Sequence, residues 1–242
     1  MLQIANLSVG YENKFVVKDI NVSVNSSKLI TLIGRNGQGK STLLKTLSGL
    51  QKPLNGAVFI NETNTNTLSV KEKSKLYSVV LTHPPAIQNV AVKDFVAFGR
   101  YPYMNWLAVK NNLDNQLVNH ALKICGLCDF ANRNITNLSD GERQKVALAR
   151  AIAQDTPIIF LDEPTSHLDL VNQSELFEML KKLVVESDKT IIISSHQLHL
   201  ALHFSDEIWL INNKELIAKS PDDFKKSGEI QKLFGKANVS VF

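Results

Sequence analysis

Cysteine is scarce in this sequence: Cys125 and Cys128 are the only two. Their CxxC spacing also occurs in redox pairs. However, Cys125 falls on the apolar face of a predicted helix, where a free cysteine behaves as a small hydrophobic residue. No second cysteine pair is present to complete a zinc site. We therefore interpret the pair as structural and expect a reducing, cytosolic setting.

Long apolar runs and a strong excess of one charge are also missing. No uninterrupted apolar run is long enough to cross a bilayer, and residues 1–14 do not have the pattern of a secretory signal. The 27 basic and 23 acidic residues leave a formal net charge of +4. This mild excess suits a protein that handles anions and does not by itself indicate nucleic acid. The 44% hydrophobic content is typical of a soluble globular protein.

What the sequence does contain is an alternation of strand and helix patterns. Short runs rich in Val, Ile and Leu come first, and helical patterns fill about 92–153. Strands and helices then alternate from residue 157 onward, which predicts a mainly parallel sheet with helices on its faces. The polar stretch 61–67 has no periodicity, so we expect an exposed loop there.

A complete GxxxxGK[ST] motif follows a predicted strand and opens a predicted helix, which is the context that such a phosphate-binding loop requires. Glycines let the backbone wrap a phosphate with its N–H groups pointing inward, and the helix N-terminus adds positive potential. The lysine is predicted to reach the β- and γ-phosphates and the serine to ligate Mg²⁺. The motif consists of Gly34, Arg35, Asn36, Gly37, Gln38, Gly39, Lys40 and Ser41.

Two acidic residues end a second apolar strand pattern. We expect Asp162 to hold Mg²⁺ and Glu163 to act as the base on a water molecule. His196 follows a third such strand, and residues at the carboxyl end of a strand in an open α/β sheet lie beside the ligand crevice. It is therefore a candidate for contacting the γ-phosphate or orienting the water. His199 and His203 follow at helical spacing, and we interpret them as ordinary helix residues.

The stretch 138–144, LSDGERQ, has the pattern of a helix start. Ser139 is a suitable N-cap and Glu142 completes a capping box. We expect the carboxylates of Asp140 and Glu142 to point away from any nucleotide, with Arg143 as the i,i+3 partner of Asp140.

These motifs follow one another in a fixed order: the phosphate loop, LSDGERQ, FLDEP at 160–164, SHLD at 166–169 and His196. The combination resembles the ATP-binding subunit of an ABC transporter over nearly the whole chain. LSDGERQ resembles the ABC signature, although glycine is commoner at Asp140 and glutamine at Glu142. SHLD resembles the D-loop.

The resemblance implies an α/β fold, a P-loop NTPase cassette. Its parts are a RecA-like, mainly parallel sheet, an antiparallel β part and a helical subdomain. One nucleotide-binding domain would cover 1–242, with the catalytic core and β subdomain at 1–83 and 157–242 and the helical subdomain at about 84–156. The stretches 98–103 and 163–170 look like those of importer ATPases for iron chelates, haem and cobalamin.

The resemblance also implies how ATP and Mg²⁺ are held. Two copies would sandwich two ATP molecules, each between the phosphate loop of one copy and the signature of the other. Tyr11 resembles the aromatic residue that stacks on adenine. Besides the phosphate loop, the implied ATP contacts are Tyr11, Thr42, Ser139, Asp140, Gly141 and Asp169.

The implied partners are a second ATP-binding subunit, transmembrane permease subunits and, indirectly, an extracytoplasmic substrate-binding protein, with no nucleic acid. The implied place is the cytoplasmic face of the inner membrane, to which the subunit would be peripheral. ATP hydrolysis would drive uptake.

One departure from the family pattern concerns the residue after the strand at 76–81. The family usually has a glutamine there that touches Mg²⁺ and water, whereas this chain has Thr82 and His83. Either Thr82 acts through a bridging water, or the metal has one fewer protein ligand. Residues 82–88 should still meet the membrane subunit.

Other functions stay open at this point. A soluble ABC-type ATPase in DNA repair or translation usually carries a long coiled coil or two cassettes, and this chain has one cassette and no sustained heptads. A small-molecule kinase with the same phosphate loop would not need LSDGERQ or SHLD. An importer ATPase for another substrate is also compatible with the motifs.

Overall fold

The computed structural model describes residues 1–12, 14–82, 89–104, 111–166 and 168–229. The strands are β1 (Leu2–Tyr11), β2 (Lys14–Val24), β3 (Leu29–Ile33), β4 (Asn55–Ile60), β5 (Thr63–Asn64), β6 (Tyr77–Val80), β7 (Ile158–Asp162), β8 (Thr190–Ser194), β9 (Glu207–Asn212) and β10 (Glu215–Lys219). The helices are α1 (Lys40–Leu47), α2 (Val70–Leu76), α3 (Val92–Ala97), α4 (Asn112–Ile124), α5 (Asp140–Ala153), α6 (Leu170–Ser187), α7 (Leu198–Phe204) and α8 (Pro221–Ser227). Short 3₁₀ turns cover Thr65–Thr67, Phe98–Tyr103, Cys128–Phe130 and Ile135–Asn137.

The central layer is a six-stranded sheet in the order β10-β9-β3-β8-β7-β6, in which only β10 is antiparallel to its neighbour. Its middle strands are mostly apolar because helices or a second sheet cover both faces. Alternate residues of β8 show this: Ile191 and Ile193 pack into one hydrophobic cluster with α3 to α6, and Ile192 packs into another with α1. The predicted α/β fold with a mainly parallel sheet is confirmed.

A four-stranded antiparallel sheet in the order β2-β1-β4-β5 covers the α1 side of the core. The prediction of an exposed loop at 61–67 is wrong in part, because Thr63–Asn64 pairs with the end of β4 and Thr65 is buried. The Thr65 hydroxyl donates to the carbonyl of Val58 at 3.1 Å. That bond removes the cost of burying a polar side chain, and polarity alone gave no sign of it.

In the described residues between 89 and 156, every named element is an α-helix or a 3₁₀ turn, as the periodicity predicts. No helix in the described ranges is both long and apolar enough to span a membrane. Cys125 is buried, and burial raises the pKa of its thiol to about 12, which suits the structural role predicted for it.

A buried ion pair joins three of these helical segments. Arg100 donates through Nε to Asp114 Oδ1 at 2.9 Å, near the start of α4. Its Nη1 also donates to the carbonyls of Ala153 and Gln154 at 2.9 and 3.0 Å, where it satisfies the end of α5. Arg100 and Asp114 are only 4% and 2% exposed, so each charge depends on the other.

Replacing Asp114 by Ala should therefore destabilise the chain strongly. Breaking a buried ion pair from one side leaves an uncompensated charge, which costs about 3–5 kcal/mol of unfolding free energy. Urea unfolding followed by circular dichroism measures the loss. Asp129→Ala, an exposed change in the turn at Cys128–Phe130, is the control and should stay within about 0.5 kcal/mol of the wild type. A loss below about 1 kcal/mol for Asp114→Ala would contradict the role given to the pair.

Candidate functional site

The phosphate loop lies at the carboxyl end of β3 and leads directly into α1. Gly37 and Gly39 have φ angles of +79° and +105°, which side chains other than glycine rarely adopt. A Cβ at Gly39 would also lie 2.2 Å from Cγ1 of Val16. The loop is therefore held close to the antiparallel sheet in a conformation that requires glycine, as phosphate-binding loops are.

Lys40 is the first residue of α1, and its side chain is almost fully buried. Its Nζ donates to the carbonyl of Gly34 at 3.1 Å and lies 3.9 Å from Oε1 of Glu163. Burial lowers the pKa of Lys40, and the carboxylates of Glu163 and Asp162 partly oppose that shift. A desolvated cation aimed into the loop is suited to binding the β- and γ-phosphates of a nucleotide.

Ser41 and Asp162 form the predicted metal position. The Ser41 hydroxyl donates to Asp162 Oδ1 at 2.9 Å, and Asp162 is 4% exposed at the end of β7. Mg²⁺ prefers oxygen ligands and is usually bound by one or two carboxylates together with substrate phosphates and water. A hydroxyl and a carboxylate within contact of one another beside the phosphate loop fit that ion.

Glu163 follows directly and has a left-handed backbone, with φ +49°. Such a conformation is uncommon in a residue other than glycine and must be held by its surroundings. His196 Nε2 lies 2.8 Å from Glu163 Oε1. The predicted base and the predicted histidine are thus in contact, and the side chain of Glu163 is 26% exposed, so water can reach it.

Thr82 does lie beside this site, but its hydroxyl donates to the main-chain carbonyl of Asp162 at 3.0 Å. The side chain therefore braces the end of β7, and the hydroxyl hydrogen is not available to a second acceptor. His83 and the rest of 83–88, predicted to meet the membrane subunit, lie outside the described residues.

Two further predicted contacts lie beside the loop at the start of α1. Tyr11 ends β1 with 54% of its surface exposed, and its hydroxyl is 3.2 Å from Oγ1 of Thr42. That hydrogen bond ties the ring of Tyr11 to the helix that begins the phosphate site. Arg35 and Asn36 are exposed at the loop's outer edge.

The N-terminus of α5 carries the LSDGERQ stretch, and its capping box is formed as predicted. The Ser139 hydroxyl accepts from the main-chain N–H of Glu142 at 3.3 Å, and the Glu142 carboxylate accepts from the main-chain N–H of Ser139 at 2.7 Å. The main-chain N–H of Ser139, followed by its hydroxyl, lowers the pKa of Glu142 by donating to the carboxylate. Arg143 donates to Asp140 Oδ1 at 2.5 Å, so the expected i,i+3 pair is present.

Close packing connects this helix start to the D-loop. A Cβ placed on Gly141 would lie 3.1 Å from Cδ2 of Leu168, so the two stretches touch with little room to spare. Asp169 is the N-cap of α6, and its carboxylate accepts from the main-chain N–H of Asn172 at 2.9 Å, which lowers its pKa. His167 lies outside the described residues.

A sequence profile of the ABC transporter family matches residues 17–166, well over half of the chain. The chain belongs to the ABC transporter family. It is 38% identical to the achromobactin transport ATP-binding protein CbrD of Dickeya dadantii over 88% of this chain and 79% of that protein.

Solved structures place it in the same family. One is described as a metal-chelate type ABC transporter in an inward-facing conformation, with a TM-score of 0.83 and 29% identity over 96% of this chain and 88% of that one. Another is the dimeric ATP-binding cassette MJ0796 in a post-hydrolysis state bound to ADP and Pi, with a TM-score of 0.79 and 27% identity over 91% and 99%. The chain is an ATP-binding cassette and an ATPase.

One residue of the cassette's site was missed from the sequence. Ser194 is the last residue of β8 and is fully buried. Its hydroxyl is hydrogen-bonded to the carboxylate of Asp162 and to the main-chain N–H of Glu163. The signal available was the polar pair Ser194 and Ser195 directly before His196, at the end of an apolar strand. Only the strand register, which pairs Asp162 with Ser194, indicates what that serine contacts.

Proposed function

We propose that this cassette is the ATP-hydrolysing subunit of an importer for an iron chelate, haem or cobalamin. The role in hydrolysis is supported above all by one cluster at the phosphate loop. There, Lys40 and His196 both lie close to Oε1 of Glu163. The import part is supported by relatives such as CbrD, which is named for achromobactin transport, and by the structural neighbour described as a metal-chelate type transporter.

In this proposal the chain's own residues divide the work. Lys40 holds the β- and γ-phosphates, and Ser41 and Asp162 hold Mg²⁺, which neutralises phosphate charge when it is bound. Glu163 takes the proton of the attacking water, and His196, in contact with the same carboxylate oxygen, orients that water and steadies the γ-phosphate. Glu163 is partly exposed, so water can reach it, and its carboxylate is held between Lys40 and His196. Such a base suits a reaction in which water is the nucleophile.

The functional unit in the proposal is a dimer. The signature of one copy faces the ATP held by the other copy's phosphate loop, through Ser139, Asp140 and Gly141. Asp169, in the adjoining D-loop, approaches the same ATP. The contact between Gly141 and Leu168 supports joint movement of signature and D-loop. Tyr11 stacks on the adenine. The dimeric state of MJ0796 supports this arrangement.

The proposed binding site for a permease segment is a cavity of about 450 Å³. It lies between β6, the end of α1 and the helical segments. Its wall is largely apolar and includes Val79, Phe95 and Phe98. The hydroxyls of Tyr77 and Ser78 are buried there with no hydrogen-bond partner in the described part of the chain. Burial raises the pKa of Tyr77 to about 12, so its hydroxyl stays protonated as a donor for an incoming carbonyl.

The proposed location is the cytoplasmic face of the membrane, where ATP is available and where a peripheral subunit can reach its permease. The conformational change that accompanies hydrolysis at the dimer interface would then reach the membrane helices through the permease segment bound in the cavity. An extracytoplasmic binding protein would deliver the cargo on the other side.

Transport assays in proteoliposomes test the proposal as a whole. The cassette, reconstituted with its permease and binding protein, should take up a ferric siderophore, haem or cobalamin only when ATP is on the side of the membrane that carries the cassette. Uptake of none of the three, with ATPase activity intact, would refute the import part. Stimulation of the ATPase by DNA or ribosomes would favour a soluble ABC-type ATPase instead.

The cavity makes a separate prediction about assembly. Leu50 and Val70 line it and are 59% and 84% exposed, so the double variant Leu50→Glu/Val70→Glu should fold normally. We expect it to hydrolyse ATP in isolation within about twofold of the wild type, but to lose at least tenfold in permease affinity, because docking would have to desolvate two charged side chains against a largely apolar wall. Val185→Glu, equally exposed on α6 and away from the cavity, is the matched control. Normal copurification of the double variant would contradict this docking site.

A further inference from the structure

The hydroxyl of Ser194 connects the two acidic residues of the proposed catalytic site. It lies 2.8 Å from Oδ1 of Asp162 and 2.8 Å from the main-chain nitrogen of Glu163. β7 and β8 are parallel with Asp162 opposite Ser194, so the two side chains stand at the same level on the same face of the sheet. This register brings a serine from a distant part of the sequence against the end of β7.

The direction of both hydrogen bonds is fixed by chemistry. The Glu163 N–H can only donate, so Ser194 Oγ accepts it. The single hydroxyl proton is then directed at the carboxylate of Asp162. Asp162 Oδ1 also accepts from Ser41, so two hydroxyls fix the rotation of that carboxylate and leave Oδ2 for another ligand.

The same hydroxyl holds the backbone of the base. Glu163 has φ +49°, a conformation that requires restraint by its surroundings, and its N–H is bonded to Ser194. The side chain that leaves from this backbone contacts His196 and points toward Lys40. Movement of the Glu163 main chain would therefore shift the base relative to the phosphate loop.

We propose that Ser194 is a positioning residue for ATP hydrolysis, which sets the metal-ligand carboxylate of Asp162 and the general base Glu163 through one buried hydroxyl. The inference rests on the proposed function, since it concerns the alignment of that same site. Ser194 is fully buried and takes no part in the reaction itself.

The test compares Ser194→Ala with Ser194→Thr. The alanine variant should lose about 10- to 100-fold in kcat, as is typical when a group that orients a metal ligand is removed, while KM for ATP stays within about threefold. Affinity for Mn²⁺ in the presence of ATP, measured by electron paramagnetic resonance in the Glu163→Gln background, should fall by a similar factor. The threonine variant keeps the hydroxyl and should recover most of both losses.

Thr31→Val is the control for loss of a buried hydroxyl. Thr31 lies on the neighbouring strand β3 and is fully buried. Its hydroxyl is hydrogen-bonded to that of Ser205, with 2.6 Å between the two oxygens, and neither residue belongs to the phosphate loop. It should lose stability but keep its kcat and Mn²⁺ affinity. Equal kcat losses in Thr31→Val and Ser194→Ala would overturn the proposal, as would wild-type kcat and Mn²⁺ affinity in Ser194→Ala.

The outcomes separate this inference from the proposed function. A wild-type chain without ATPase activity would refute the proposed function. An active wild type together with an equally active Ser194→Ala would refute only the role of Ser194. Should the threonine methyl not fit in the core, the Mn²⁺ affinity of the alanine variant decides the question by itself.

Discussion

Replacing Glu163 by Gln should abolish turnover and leave ATP binding in place. The amide has nearly the shape of the carboxylate, but it cannot accept the proton of the attacking water. General-base catalysis contributes about 10²–10⁴ to a rate, so kcat should fall by at least about two orders of magnitude. Phosphate release with saturating MgATP measures the rate, and calorimetric titration with ATP measures the affinity.

The contacts of Glu163 explain why binding should survive. The carboxylate lies 3.9 Å from Lys40 Nζ, so in the wild type it competes with phosphate for that cation. The Glu163→Gln change removes this competition, and the affinity for ATP should be unchanged or higher. Two copies with bound ATP should then persist as a dimer, which gel filtration with ATP detects.

Glu186→Gln is the matched control. Glu186 lies near the end of α6 with its side chain 61% exposed, and it forms a 3.8 Å i,i+4 pair with Lys182. The change removes the same charge and should leave kcat within about twofold of the wild type. Residual hydrolysis above about a tenth of the wild-type rate in Glu163→Gln would show that another group is the base.

The strands that carry the site could be predicted because they are buried on both faces. β3, β7 and β8 are mostly apolar runs. The phosphate loop follows β3, Asp162 and Glu163 stand at the end of β7, and His196 comes shortly after β8. The glycine spacing of the phosphate loop is equally local, since it reflects backbone angles within one short stretch of chain. These features depend on neighbours in the sequence, which is why periodicity and motif spacing indicate them.

The remaining features depend on contacts between distant segments. The edge strand β10 is only half-buried, so its pattern is neither strongly apolar nor clearly alternating. Ser194 lies 32 positions from Asp162, and only the register of two parallel strands brings them together. The residue type of Glu163 does not indicate its positive φ angle, because the turn and the hydrogen bond to Ser194 impose that angle.

Replacing Lys40 by Met should separate the function of this lysine from its packing. Methionine is an unbranched apolar side chain that suits the same buried position, while the charge that would face the phosphates is removed. A hydrogen bond to a charged group is worth about 1.5–3 kcal/mol, which corresponds to roughly a 10- to 100-fold loss of ATP affinity. Loss of a donor aimed at developing charge should lower kcat by about 10²–10³.

Lys45→Met is the control, because Lys45 lies in the last turn of the same helix and is not in the phosphate site. It should change neither the affinity for ATP nor kcat by more than about twofold. A Lys40→Met chain with wild-type affinity and rate would remove the lysine from the site, and with it the assignment of the loop as the phosphate-binding element.

The Lys40→Met change should also alter how the stability of the chain depends on pH. Burial lowers the pKa of Lys40 in the folded chain. Between that lowered pKa and the lysine's ordinary value, the unfolded chain holds a proton on Lys40 that the folded chain has lost, so the contribution of Lys40 to stability rises with pH in this window. Methionine has no proton to lose, and the rise should disappear. Urea unfolding at several alkaline pH values measures this, and a variant that keeps the wild-type slope would show that Lys40 is not the desolvated group.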